Sequence, residues 1–258
     1  ATRRLGREWT AALIPQVALT APGLPAALAA ASAVPRGVTT RNEFPSAEFV
    51  SAGIDLHRAD EPADASAFQR RRAQTYAELE RRLMQAPETV AVTFATYVPG
   101  ASPEGLAQSV QVESTAGSAP MFDAFALTPA VGPRFFETIG RPIVAGRDFQ
   151  EDDRTGSART VIVNEGFARL FQRNTGRASP IGARVPRRAE GPGPEPGQEP
   201  WYEIVGVARD IGLDPSGDAY EEGAFVYFAA SPATVDRPVT LIRVRGNAGG
   251  LAARLPVM

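Results

Sequence analysis

From Thr160 to Phe171 the chain reads TVIVNEGFARLF. Thr160–Asn164 reads as a strand on its β-branched run, and Asn164 stands where the strand gives way to a helix, the position of a capping side chain. In the helix read over Glu165–Phe171, Phe167 and Phe171 lie four apart and share one face, which the core must cover. A strand that runs into a helix without an intervening loop argues for mixed α and β structure rather than a helical bundle or an all-β sandwich.

Toward the C-terminus, SPIGARV (Ser179–Val185) carries a short strand at Ala183–Val185. AEGPGPEPGQEP (Ala189–Pro200) has the composition of an exposed loop. Strands are expected at Tyr202–Arg209 (YEIVGVAR), Ala224–Phe228 and Val239–Val244, with a short helix over Ala248–Leu255. Toward the N-terminus, VGPRFFETIGRPIVAGRDFQEDD (Val131–Asp153) reads as a short helix over Pro133–Ile139 followed by a loop at Ala145–Phe149. A strand precedes it at Met121–Leu127. Gly140, Gly146 and Gly182 supply tight turns, and Phe135 and Phe136 face the core by periodicity.

Pro99–Pro120 is polar and rich in Gly and Ser, with one short strand at Ser109–Glu113, and this shift of composition marks a subdomain boundary. Before it, Glu48–Leu56 and Thr89–Val98 read as strands. Between them a helix starts at the Ser66/Gln69 capping box, places Phe68, Tyr76, Leu79 and Leu83 on one face, and runs to about Ala86. Strand, helix and strand over this span form a βαβ or split βαβ unit.

The 258 residues are 43% hydrophobic, enough for a buried core. A net charge of -2 offers no electrostatic footprint for nucleic acid. All 27 basic residues are Arg and are spread along the chain, as a GC-rich genome would produce. With no Lys, the GxxxxGK[ST] phosphate loop cannot form. With no Cys, disulfides, thiolate nucleophiles and Cys-based metal sites are excluded.

His57 is the only histidine, so Ser/His/Asp catalysis would have to recruit it, and its place after a strand suits a structural or solvated side chain better. Glu151, Asp152 and Asp153 are consecutive, and neighbouring carboxylates on one loop rarely converge, so a solvated turn is expected. Asp210, Asp214 and Asp218, spaced with Gly212 and Gly217, read as turn residues. Trp201 and Tyr202 begin a strong strand, where core packing is expected rather than a stacking platform. No residue is nominated as catalytic, cofactor-binding or metal-ligating.

Three stretches in order, Val131–Asp153, Thr160–Phe171 with Ser179–Val185, and WYEIVGVARDI (Trp201–Ile211) with FVYFAASP (Phe225–Pro232), resemble the MacB-like periplasmic core domain of FtsX/MacB-family ABC permeases. The resemblance spans about residues 45–255. It implies an α+β fold: a discontinuous βαβ, porter-like subdomain of about 45–98 and 238–258, with a mixed α/β subdomain of about 99–237 inserted into it. It also places the domain, about 41–258, outside the cytoplasm between two membrane helices, and puts residues 1–40 at the position of the first. Trp9–Val34 is uncharged but contains Pro15, Pro22 and Pro25. That stretch accommodates a weak membrane helix, a signal-like segment or an Ala/Pro linker.

The implied function is non-catalytic and needs no cofactor: the domain would couple a separate ATPase, through the permease membrane helices, to an envelope partner or an exported molecule. Dimerisation is compatible with it. A stand-alone periplasmic solute- or peptide-binding domain is the alternative and requires a cleft of ligand size between the subdomains. A hydrolase built on His57 is the third reading.

Overall fold

The computed structural model describes residues 28–29, 44–54, 65–99, 106–113, 120–154, 158–187, 199–211, 223–231, 235, 238–246 and 248. His57, Asp214 and Asp218, the predicted helix after Ala248, and residues 9–34 apart from 28–29 lie outside this set. Among the described residues no helix is long and apolar enough to cross a membrane.

The first strand pairing joins Leu28–Ala29 (β1) to Phe49–Ile54 (β2). Helix Ala65–Leu83 (α1) then leads to Thr89–Ala95 (β3). The last strand, Val239–Val244 (β12), lies between β2 and β3 and is antiparallel to both. β2 and β3 are therefore parallel, with α1 as their crossover: a split βαβ. Val50, Val92, Ile242 and Val244 point from the sheet toward Tyr76, Leu79 and Leu83 of α1, as the spacing of α1 predicts.

The remaining strands are Ala107–Glu113 (β4), Pro120–Leu127 (β5), Ala130–Val131 (β6), Ile143–Gly146 (β7), Thr160–Asn164 (β8), Arg184–Pro186 (β9), Trp201–Ala208 (β10) and Val226–Ala229 (β11). All belong to one mixed sheet in the order β1-β2-β12-β3-β6-β11-β8-β10-β9-β4-β5, with β7 on the free half of the β10 edge. Helix Phe135–Thr138 (α2) precedes β7, Glu151–Arg154 (α3) follows it, and Glu165–Thr175 (α4) leaves β8 directly. The expected α+β class holds. β8 and β12 occupy their predicted residues, and α4 runs one turn beyond prediction, to a left-handed Gly176 whose N–H donates to Gln172 at 2.8 Å.

Two strands are corrections. β6 is two residues long, too short to carry a period. β7 takes Ala145 and Gly146 out of the predicted loop because they pair with Val207 and Gly206 of β10.

The middle of the sheet divides the core by strand alternation. On one face Val161 and Val163 of β8, with Val226 and Phe228 of β11, meet Phe167, Leu170 and Phe171 of α4. On the other, Ile162 and Tyr227 meet Phe135 and Phe136. Val205 is an extra residue in β10, a bulge that lets Ile204 and Val207 both join the α4 side. The bridge Leu127–Phe225 returns the end of β5 to the start of β11, so this half of the sheet curls around α4. Each large side chain of α4 buried there contributes roughly 1.5–3 kcal/mol.

The start of β2 and the end of β12 meet at one place. Phe49, the first residue of β2, is opposite Arg243 near the end of β12, and Ala248 N–H donates to Ala47 at 2.9 Å. Arg243 also pairs with Glu48 at 3.1 Å and lies over the Phe49 ring.

Candidate functional site

Asn164 caps α4 as its position suggests. Its Oδ1 accepts from Phe167 N–H at 3.0 Å and from Phe225 N–H at 2.8 Å, and its Nδ2 donates to Asp210 and Gly223 at 2.7 and 2.8 Å. Asp210 also accepts from Gly166 N–H and Arg169, while Glu165 accepts the Asp210 N–H. Asp210 thus serves as an anchor for the helix start rather than the turn residue expected of it. Replacing Asn164 by Ala removes a cap and strands buried donors, and is expected to cost about 2 kcal/mol, a fall of roughly 4–8 °C in Tm by thermal melt.

The acidic trio opens α3, and its members part company. Glu151 is 85% exposed and pairs with Arg154 at 3.1 Å. Asp152 is exposed. Asp153 is the correction to the expected solvated turn: its side chain is 2% exposed. It accepts from Arg147 at 2.6 and 3.1 Å, Gln150 N–H at 2.7 Å and the Thr160 hydroxyl at 2.8 Å. Burial alone would raise its carboxyl, but the Arg147, Gln150 and Thr160 donors outweigh burial and hold it below the ordinary carboxylate value. Arg147 follows Gly146, where β7 crosses β10 at a second glycine, Gly206. The two glycines let the backbones touch, for a Cβ on Gly146 would lie 2.2 Å from Val205 O and one on Gly206 2.3 Å from Arg147 O.

Beside α3 lies a cleft of about 460 Å³. Its floor is the upper sheet, Val92, Phe94 and Thr240; its near wall is Ala73, Tyr76 and Ala77 of α1; Glu151 and Arg154 of α3 close the far side. At one rim Glu80 of α1 pairs with Arg134 at 3.1 Å. Arg134 takes a left-handed conformation (φ 52) at the start of α2. Beneath it Thr93 donates to the Pro133 carbonyl at 2.8 Å. Two polar atoms of the lining have no partner: Thr240 Oγ1, on a residue 4% exposed, and Arg154 Nε.

Trp201 is half-buried under the Arg184 guanidinium, and Tyr202 packs edge-on against Phe228 with ring centroids 5.2 Å apart. Core packing is thus the observed role of Tyr202. Among the described residues no three His, Asp or Glu side chains come together in a way that could hold a metal ion. The geometry brings together a cleft and two carboxylate-anchored turns, arrangements for binding and for rigidity. Sequence reading missed Arg154, Thr240 and the Arg147–Asp153 pair. The pair spans six residues inside the quoted GRDFQEDD run, but nothing local distinguishes it from a surface charge, and the cleft arises only from how α1 lies on the sheet.

Residues 26–254 match the profile of the family described as the MacB-like periplasmic core domain. Among solved structures, the periplasmic region of MacB from Actinobacillus actinomycetemcomitans is 16% identical, covering 69% of this chain and 68% of that one, with a TM-score of 0.41. The extracellular domain of the noncanonic ABC-type transporter YknZ from Gram-positive bacteria is 17% identical, covering 69% of this chain and 80% of that one, with a TM-score of 0.40. No functionally curated protein matches the chain.

Proposed function

Because the chain belongs to the MacB-like periplasmic core domain family, extracytoplasmic domains of ABC-type permeases, we propose that it is a coupling module without chemistry of its own. It would pass the movement of a separate ATPase, received through permease membrane helices, to an envelope partner or an exported molecule. The observation that supports this is that the start of β2 and the end of β12 lie together, with Phe49 opposite Arg243. A domain inserted between two membrane helices needs its entry and exit side by side, and the start of β2 and the end of β12 share one rung of a ladder.

The same reading divides the chain into a first subdomain of about 45–98 and 238–258 and an inserted one of about 99–237, with residues 1–40 at the place of a first membrane helix. One apolar cluster falls in each subdomain, the α1 face of β2, β12 and β3 in the first and the curled sheet around α4 in the second, and a third, with Ala95 and Leu241 against Phe135 and Tyr227, joins them. The test is affinity capture of the native permease from detergent-solubilised membranes. An ATPase subunit should co-purify in near-stoichiometric amount, and its repeated absence overturns the proposal. The second reading, a solute-binding domain acting alone, is favoured by one observation, the cleft lined by α1 and α3. It predicts that the protein is recovered without any membrane partner.

A further inference from the structure

The cleft owes its existence to α1. Along the sheet face that α1 covers, Tyr76, Leu79 and Leu83 fill the lower half over Val92, Ile242 and Val244. Around its middle, α1 offers Ala73 and Ala77 to the cleft. Alanines cannot span the distance to the sheet, so the upper half, over Phe94 and Thr240, stays unfilled. The void is within the size range of small-molecule sites, and its lining is mostly apolar with a few polar groups.

Its polar groups restrict the occupant. Both acids are matched by arginines, Glu80 by Arg134 and Glu151 by Arg154, each pair at 3.1 Å. An ionic ligand would therefore give up its hydration to a wall already neutralised. By contrast, two donors lack acceptors: the Thr240 hydroxyl and Arg154 Nε, both screened from water. Unpartnered buried donors are rare and costly in native proteins. The Thr240 hydroxyl is covered as it stands, so an acceptor in the cleft would take its hydrogen bond after rotation about χ1 to another staggered position.

We propose that this cleft is a binding site for a small uncharged molecule, an apolar body carrying a carbonyl-type acceptor that takes its hydrogen bond from Thr240. The site does not depend on the coupling function, and a permease domain that captures its ATPase but binds no such molecule would separate the two. Isothermal titration of the whole chain with 2-acetylnaphthalene, naphthalene, 2-naphthoate and 2-naphthylmethylammonium tests it. The ketone should bind most tightly. Thr240→Val should weaken the ketone roughly five- to tenfold while leaving naphthalene unchanged. Ala77→Trp, a change at an exposed helix position that puts a large ring in the cleft, should abolish both, with its circular dichroism and melting transition confirming the fold. Tighter binding of either ion, ketone affinity indifferent to Thr240→Val or Ala77→Trp, or no binding of any probe to the wild type, each overturns the proposal.

Discussion

Gly146→Ala is expected to destabilise the protein by about 3–5 kcal/mol, the sum of a left-handed backbone penalty and a steric clash with backbone. Gly146 has φ +72, and its added Cβ would stand 2.2 Å from Val205 O and 3.0 Å from the Gly206 Cα. Neither contact is with a side chain that could swing aside, so β7 must leave β10. The control is Gly176→Ala, at nearly the same φ (+71) but with nothing within 4 Å of the new Cβ. It should lose only about 1–2 kcal/mol. Gly206→Ala, whose Cβ meets Arg147 O at 2.3 Å, should resemble Gly146→Ala, and the double variant should lose less than the sum because β7 is displaced only once. Urea denaturation measures all four. Equal losses at Gly146 and Gly176 would show that the crossing of β7 and β10 yields freely.

Asp153→Ala should cost about 3 kcal/mol, or roughly 6–12 °C in Tm. Four donor hydrogen bonds converge on this carboxylate, from Arg147 twice, Gln150 N–H and Thr160. Arg147 is 39% exposed and can rehydrate, so the loss falls at the low end for a broken buried pair. Gln150 N–H and the Thr160 hydroxyl lose an acceptor. Asp153→Asn, which keeps the shape but not the charge, should recover only part of the loss.

The pH dependence follows from the sign of the shift. Because the folded carboxyl titrates below its ordinary 3.8, its contribution is complete above that value and is lost as pH falls through the lower folded value. The stability gap between wild type and Asp153→Asn should therefore be constant near neutrality and close in strong acid. Asp148, an exposed residue, runs the other way, with partial desolvation raising its carboxyl against the opposing Phe149 N–H. A gap that persists undiminished well below the folded titration of Asp153 would assign the loss to packing instead of charge.

These two sites show what local sequence can and cannot carry. β8 and β12 were legible as short β-branched, apolar runs, and α4 because Phe167 and Phe171 repeat at helical spacing. Asn164 was legible as a cap because a capping side chain acts on residues three positions away. β7 was not, since its pairing depends on a glycine-to-glycine contact with a strand about sixty residues later. Asp153 and Asp210 looked like turn acids because their partners, Thr160 and Arg147 for one and Asn164 and Gly166 for the other, are fixed only when β8 lies beside β10. The cleft was the least legible feature of all. Ala73 and Ala77 are ordinary helix residues, and only their place above Phe94 and Thr240 turns small side chains into a void.

The adjacent ends at β2 and β12 set the direction in which the domain can bear force. Phe49 and Arg243 are neighbours at the same end of an antiparallel ladder. Drawing those two ends apart opens the ladder one rung at a time, from Phe49–Arg243 toward Gly53–Val239, so that each hydrogen bond resists alone. Moving both ends together loads none of these rungs in sequence, and the sheet travels as one rigid lever. Two membrane segments attached here would drive the domain by tilting in step, and would unzip it by separating.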